Sequence, residues 1–139
     1  MPHIIWRSRM SVGVERIDED HRQLIRCLNE LDQAINHAQY DPRTVAKTLL
    51  RLVEYTKSHF DREEKLMQAV DYPDFAAHKR QHDAARQALH EVSREFMATQ
   101  TKAAAERIYD FTADWLLHHI VMIDTKITPF VVGEPAHAP

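Results

Sequence analysis

Residues 45–66 read VAKTLLRLVEYTKSHFDREEKL. The apolar positions of this stretch recur at steps of three and four residues, which is the spacing of one face of an α-helix. Near its end the same face carries His59 and Glu63 instead of further leucines. Burying such polar groups is costly unless a partner binds them. The stretch therefore predicts a core helix that ends in a binding site.

Three other parts of the chain show the same helical spacing, and short connections at about 37–41, 69–73 and 98–101 separate the four blocks. Short connections make neighbouring helices antiparallel. We therefore predict an all-α fold, an antiparallel up-down-up-down four-helix bundle with an N-terminal arm and a short C-terminal tail. The predicted bounds are 1–139 for a single domain, 1–16 for the arm, about 17–37, 42–69, 74–98 and 102–127 for the helices, and 128–139 for the tail.

The composition and the net charge limit what the protein is expected to bind and where it is expected to occur. The 139 residues carry a net charge of -3, which argues against nucleic-acid binding because that function usually needs a basic face. No run of about 18 apolar residues is present, so we expect no membrane insertion. Cys27 is the single cysteine, which excludes an internal disulfide and favours a reducing cytoplasm.

Seven side chains that can bind metals fall on or near the predicted core faces: His21, His59, Glu63, His78, His82, His119 and Asp124. In an up-down-up-down bundle the starts of helices one and three meet the ends of helices two and four, so the seven should converge. Imidazoles and carboxylates without cysteine suit iron, manganese, zinc or copper. A structural zinc site takes about four ligands, whereas two metals bridged by the two carboxylates would use all seven. The charged neighbours are interpreted as solvated surface: Asp61, Arg62, Glu64 and Lys65.

The fourth helix leaves two alternatives open. Asp124 follows His119 by five residues, so in a regular α-helix the two side chains would differ in direction by about 140°. Either Asp124 reaches into the site from the side, or the helix is locally distorted. His118 competes with His119 as a ligand, but the helical neighbours of His119 are apolar and favour His119 for the core position.

Four short motifs in order give the sequence a family resemblance. They are VGVERIDEDH (12–21), HFDRE (59–63), HKRQH (78–82) and HIVMID (119–124), and Trp6, Tyr72-Pro73 and Trp115-Leu116 match as well. The chain resembles the hemerythrin family, in particular its single-domain bacterial members, over about residues 6–126. Each motif alone is weak evidence, whereas four motifs at family-like separations are specific.

The resemblance implies a non-haem di-iron site with an oxo or hydroxo bridge. By position, His78, His82 and His119 would bind one iron, and His21 and His59 the other. Glu63 and Asp124 would bridge the two ions, which leaves one open position for dioxygen on the two-histidine iron. Phe60, Leu116 and Ile120 match positions of the family's oxygen pocket, with Trp115 close by.

The function that the resemblance favours is reversible dioxygen binding without enzymatic turnover. The protein would be an oxygen carrier, store or delivery protein, and its partner would be an oxygen-consuming protein of unknown identity. One alternative is a di-iron enzyme: an oxidase, a peroxidase, or a protein that handles nitric oxide or iron. Another is an oxygen or redox sensor that acts through a partner. Zinc or manganese would also fit the same ligands.

Overall fold

Four long helices make up most of the structure, a computed structural model that describes residues 4–131. The helices are α1 (Glu15–Ile35), α2 (Pro42–Ala69), α3 (Phe75–Thr99) and α4 (Lys102–His118). A 3-10 turn (Ser8–Met10) precedes α1, and a π-helical turn (His119–Ile123), a 3-10 helix (Asp124–Ile127) and a short helix α5 (Thr128–Val131) follow α4. No strand occurs between residues 4 and 131, and the predicted all-α class is confirmed.

The four long helices form an antiparallel bundle. Each helix packs against its neighbour in the chain, and α4 also packs against α1. The connections are short, so the chain reverses direction between successive helices. The predicted up-down-up-down topology is confirmed. No helix within the described range 4–131 has the length and apolar character that crossing a membrane requires.

Two of the helices begin at residues suited to that position. The Asp41 carboxylate accepts a hydrogen bond from the backbone N–H of Arg43 at 2.9 Å, and Pro42 occupies the first helical position of α2. The hydroxyl of Thr101 accepts from the backbone N–H of Ala104 at 3.1 Å and caps α4. These caps explain why the predicted starts at 42 and 102 coincide with the observed ones.

An apolar core fills the part of the bundle where α1 and α3 end and α2 and α4 begin. Ile35, Val45, Phe96 and Ala104 are all fully buried there, and we call this part the apolar end. The loops that close it are joined by a hydrogen bond from the Tyr40 hydroxyl to the carbonyl of Gln100 at 2.9 Å. The apolar end thus holds the four helices together by side chains that bind no ligand.

The segment before α1 is fixed against the bundle. The backbone of Ile4 exchanges two hydrogen bonds with the Asn29 amide, both 3.0 Å long. The N–H of Val12 donates to the Asp18 carboxylate at 2.8 Å, and its carbonyl accepts from the Thr128 hydroxyl at 3.1 Å. The arm therefore covers the start of α1 and contacts the last described residues of the chain.

The observed bounds differ from the predicted ones mainly after residue 118. The first three helices agree to within two residues, but the predicted fourth helix is divided into α-helical, π-helical and 3-10 parts. Residues 128–131 form α5 rather than a tail, because Ile127 and Phe130 pack against Met67 and Tyr72 and continue the apolar contacts. Of the predicted arm and tail, residues 1–3 and 132–139 lie outside the described residues.

Candidate metal centre

The structure brings all seven metal-competent side chains together at the end of the bundle opposite the apolar end. Each of the seven is at most 2% exposed. They form two sets whose ligand atoms lie within 4.8 Å of one another. The three-histidine group consists of His78, His82, His119, Glu63 and Asp124, and the two-histidine group consists of His21, His59 and the same two carboxylates. The two groups therefore share both carboxylates.

Helical spacing accounts for most of these positions. His59 and Glu63 lie four residues apart on α2, and His78 and His82 lie four residues apart on α3. That separation places both members of each pair on one face, about one turn apart. His21 comes from the first turns of α1, which run beside the last turns of α2 in the antiparallel bundle.

The π-helical turn places Asp124 beside His119. It spans His119–Ile123, directly before Asp124. A π-helix closes its hydrogen bonds over five residues instead of four, so side chains five residues apart share a face. The His119 Nε2 and Asp124 Oδ1 atoms are consequently 2.9 Å apart. Of the two alternatives left open by the sequence, the structure shows the local distortion, and it leaves His118 exposed while His119 is buried.

The two oxygens of Glu63 face different groups of histidines. Oε1 lies 2.9 Å from the Nε2 of His78 and 3.1 Å from that of His82. Oε2 lies 3.4 Å from the Nε2 of His59 and 3.6 Å from that of His21. One carboxylate thus connects the two groups through its two oxygens.

The two oxygens of Asp124 also face different groups of histidines. Oδ1 lies 3.0 Å from the Nε2 of His78 and 2.9 Å from that of His119, and Oδ2 lies 3.0 Å from the Nε2 of His21. Both carboxylates are therefore in a position to bridge two ions, one held by each group.

The ring nitrogens and the carboxylate oxygens of the cluster lie close together, but the ring nitrogens form no hydrogen bonds to the carboxylates. None of the four carboxylate oxygens has a hydrogen-bond partner among residues 4–131, although ring nitrogens lie within reach. Ring nitrogens also face each other: the Nε2 atoms are 3.1 Å apart in His21 and His59, and 2.8 Å apart in His78 and His119. Buried polar atoms that lack partners call for a bound ion or water. A set of imidazole nitrogens and carboxylate oxygens that converge in this way fits iron.

The pKa values of the histidines and carboxylates in the cluster are strongly shifted. Burial opposes a proton on His21 and on His78, but the contacts with Asp124 and Glu63 outweigh burial and raise the pKa of each histidine to about 9. Burial also opposes the ionised form of Glu63 and Asp124, yet the surrounding histidines hold the pKa of both carboxyl groups below its usual range. In the metal-free protein, protons on histidine balance the carboxylates, and a bound metal has to displace them.

Aromatic rings cover one side of the cluster. Phe60 stacks on His82 with ring centroids 4.1 Å apart, and Trp115 stacks on His119 at 4.3 Å. The two aromatic rings contact each other edge-on at 5.4 Å. Leu116 and Ile120, the other two residues predicted to line an oxygen pocket, are buried in the adjoining apolar core. The stacking contacts place Phe60 and Trp115 against the three-histidine group.

Two carboxylates that the sequence analysis did not assign to the site, Asp20 and Glu64, contact histidines of the cluster. Asp20 contacts the Nδ1 of His59, and Glu64 contacts the Nδ1 of His82. In both rings Nδ1 is the outer nitrogen, and Nε2 faces the cluster. Glu64 and Arg62 were interpreted as solvated surface, but their side chains are only 12% and 28% exposed, because Arg62 pairs with the buried Asp20, and Glu64 pairs with Arg86 and contacts the buried His82. The available signal was adjacency in the sequence, since Asp20 directly precedes His21 and Glu64 directly follows Glu63.

Comparisons with known proteins agree with this site. The family model described as "Hemerythrin HHE cation binding domain" matches residues 12–131. A protein named bacteriohemerythrin from Stenotrophomonas maltophilia is 32% identical over 86% of this chain and 76% of its own length. Myohemerythrin from Sipunculus nudus is 30% identical over 88% of each chain. A crystal structure of wild-type hemerythrin superposes with a TM-score of 0.82 at 29% identity, over 94% of this chain and 98% of that one.

The fold and the site define a class: non-haem di-iron proteins that bind dioxygen inside a four-helix bundle. The family model covers most of the chain, and the relatives carry the same family name. The chain belongs to the hemerythrin family. The resemblance inferred from the four sequence motifs is confirmed, and so is the expectation that the cofactor is a pair of iron ions.

Proposed function

We propose that this chain binds dioxygen reversibly, with the seven-residue cluster as its di-iron site. His78, His82 and His119 would hold one iron, His21 and His59 the other, and Glu63 and Asp124 would bridge the pair. The observation that supports this assignment best is the division of the carboxylate oxygens. Oε1 and Oδ1 face the three-histidine group, whereas Oε2 and Oδ2 face the two-histidine group.

The two halves of the site differ by one protein ligand. The three-histidine group offers three nitrogens and two carboxylate oxygens, and the two-histidine group offers two nitrogens and two carboxylate oxygens. The smaller set leaves more room for an external ligand, so it is the half to which dioxygen would bind. A pair of iron ions held by these residues would supply the reversible redox chemistry that dioxygen binding requires.

The surrounding residues support reversible binding rather than turnover. Phe60, Leu116 and Ile120 are at most 3% exposed, and Trp115 is partly buried against them. Apolar walls exclude water and limit the leakage of protons and reactive species. The rings of Phe60 and Trp115 also fix the planes of His82 and His119 by stacking. Phe60 also lies beside His59 of the two-histidine group, with ring centroids 6.0 Å apart, so these four side chains would line a dry oxygen pocket that reaches this half of the cluster.

The test of reversible binding is a cycle of oxygen exposure. Protein loaded with two equivalents of Fe(II) under anaerobic conditions should become coloured in oxygen and bleach under argon over several cycles. Zinc-loaded protein is the control and should show no change, because Zn²⁺ is not redox-active. One-way oxidation to a ferric form, or turnover of peroxide or nitric oxide well above the rate of free iron, would contradict the non-enzymatic proposal.

A pair of adjacent histidines tests the ligand assignment. His119 is buried in the cluster, whereas His118 is exposed. We expect His119→Ala to lose iron and His118→Ala to retain two ions per chain, as measured by metal analysis after reconstitution. Loss of iron in the His118 variant alone would contradict the assignment. A cytoplasmic location and delivery to an oxygen-consuming protein stay predictions from the sequence.

A further inference from the structure

Asp20 is the centre of a buried network next to the two-histidine group. Its side chain is fully buried. Its Oδ2 accepts from the Nε of Arg62 at 2.8 Å and lies 3.2 Å from the Nδ1 of His59. Its Oδ1 accepts from the Nη2 of Arg62 at 2.8 Å and from the Tyr55 hydroxyl at 3.0 Å. Three side chains thus fix the carboxylate in one orientation.

Glu64 makes the corresponding contact next to the three-histidine group. Its Oε2 lies 2.9 Å from the Nδ1 of His82 and accepts from the Nη2 of Arg86 at 2.9 Å. The Arg86 guanidinium also lies over the ring of Phe60, 5.1 Å from its centroid. Each half of the cluster therefore has one histidine whose outer nitrogen faces a carboxylate that an arginine holds.

The two groups of histidines differ in how many of their rings are held by a side chain outside the cluster. In the two-histidine group, the Nδ1 of His21 has no hydrogen-bond partner in the described part of the chain, so His59 is the only ring with a carboxylate behind it. In the three-histidine group, the Nδ1 of His78 also lacks a partner, but Glu64 holds His82 and the stacked Trp115 holds His119. The smaller group thus has fewer oriented rings as well as fewer ligands.

A carboxylate behind a metal-binding histidine determines what the ring can do. When the Nδ1–H donates to the carboxylate, the Nε2 is left unprotonated and its lone pair points into the cluster. The hydrogen bond also holds the plane of the ring and makes the Nε2 more basic. Arg62 makes two hydrogen bonds to Asp20 at once, which keeps that carboxylate ionised and prevents it from turning away from His59.

We propose that Asp20, held by Arg62 and Tyr55, is the positioning residue that gives the two-histidine group its affinity for metal. The proposal rests on the ligand assignment under the proposed function. Removal of such an outer partner typically lowers metal affinity by roughly 10–100-fold. Because the Nδ1 of His21, the second ring of this group, has no hydrogen-bond partner among residues 4–131, we expect the loss of Asp20 to weaken the iron of this half selectively. Glu64 should act in the same way on the other half.

The experiment is an anaerobic titration of the metal-free protein with Fe(II), in competition with a chromophoric chelator. Asp20→Asn keeps the shape of the side chain, and Glu64→Gln is its matched counterpart. Asp20→Asn should weaken one of the two equivalents by roughly 10–100-fold and leave the other within about twofold. In the loaded ferric protein it should shift one of the two Mössbauer doublets only. Weakening of both equivalents, or of neither, would overturn the proposal.

The same substitutions made in a His59→Ala protein show whether Asp20 acts through His59. In a His59→Ala protein, Asp20→Asn should cause no further loss of affinity for the remaining equivalent, whereas Glu64→Gln should still weaken it. An additive effect of Asp20→Asn in that background would overturn the proposal in favour of a purely structural role. If Asp20→Asn does not fold, as judged by circular dichroism, Arg62→Lys should weaken the same equivalent in its place, and weakening of the other one would overturn the proposal.

Failure of the proposed function looks different in these measurements. If the His59→Ala protein binds two equivalents with unchanged affinity, the ligand assignment itself is wrong, whatever Asp20→Asn does. If His59→Ala loses one equivalent and Asp20→Asn in the otherwise unchanged chain loses nothing, only the positioning role of Asp20 is wrong.

Discussion

The apolar end and the seven-residue cluster lie on the same four helices but depend on opposite kinds of stabilisation. At the apolar end, side chains such as Phe96 and Ile35 are fully buried, and their transfer out of water is favourable in itself. In the cluster, residues that are equally buried carry charge or polar atoms, and their burial is unfavourable until a cation satisfies them. The difference indicates that one end holds the fold and the other is built for binding.

This division has a consequence for the protein without iron. The apolar end extends over many turns of the bundle and needs no metal, so we expect the metal-free chain to keep its helices. The cluster would then rely on protons held by His21 and His78 to balance the two carboxylates. The two ends can therefore be perturbed separately, one through the free energy of unfolding and the other through metal content.

The largest effect is expected from the loss of a bridging carboxylate. Glu63→Ala removes two oxygens that face both groups of histidines, so we expect it to lose at least one iron per chain. Metal analysis after anaerobic reconstitution measures this directly. Glu54→Ala, at an exposed position nine residues earlier on α2, is the control and should retain two irons. Two irons in the Glu63 variant would contradict the bridging role.

Phe96→Ala tests the apolar end in the same way that Glu63→Ala tests the cluster. Phe96 is fully buried and distant from the cluster, and Phe→Ala substitutions in cores typically cost about 3–5 kcal/mol. We expect Phe96→Ala to lower the free energy of unfolding by that amount, as measured by urea denaturation, without changing the iron stoichiometry of the folded protein. Met97→Ala is the control, because Met97 is 59% exposed and should change stability by less than about 0.5 kcal/mol. Loss of iron in folded Phe96→Ala would mean that the two ends are coupled.

The bundle itself was predictable from sequence because its signals are local and repeated. Apolar steps of three and four residues define the helical faces, and residues such as Asp41, Pro42 and Thr101 mark helix starts. The convergence of the seven polar side chains followed from their positions at the starts or ends of antiparallel helices. These inferences need only the period of the α-helix and the order of the elements.

What the sequence did not predict depends on departures from that period or on pairing across helices. The π-helical turn at His119–Ile123 changes the direction of every later side chain, and no residue type marks it. Arg62 and Glu64 have the composition of a solvated face, and only the position of α1 and α3 shows which partners they meet. Charged residues that flank a candidate ligand deserve to be tested as its outer partners before they are assigned to solvent.

The pH dependence of stability should distinguish the metal-free cluster from the loaded one. The pKa of His21 and of His78 is raised from 6.5 to about 9, so the stability they contribute in the metal-free protein is fully present below pH 6.5 and is lost as the pH rises through 9. Each pKa unit corresponds to about 1.4 kcal/mol. In the loaded protein these rings carry no proton, so its stability should not fall over that range. Urea midpoints between pH 6.5 and 9.5 measure both curves, and parallel curves would contradict the assignment of these rings as ligands.

The smallest effect is expected from a helix cap at the apolar end. Thr101→Ala removes the hydroxyl that accepts from the N–H of Ala104, and the loss of such a cap costs about 1 kcal/mol. Thr101→Ser keeps the oxygen and is the matched control, with little change expected. Neither variant should alter iron content, because the cap lies at the opposite end of α4 from His119. A decrease in metal affinity in Thr101→Ala alone, measured by the same chelator competition, would show that the start of α4 is coupled to the cluster and that the two ends of the bundle are not independent.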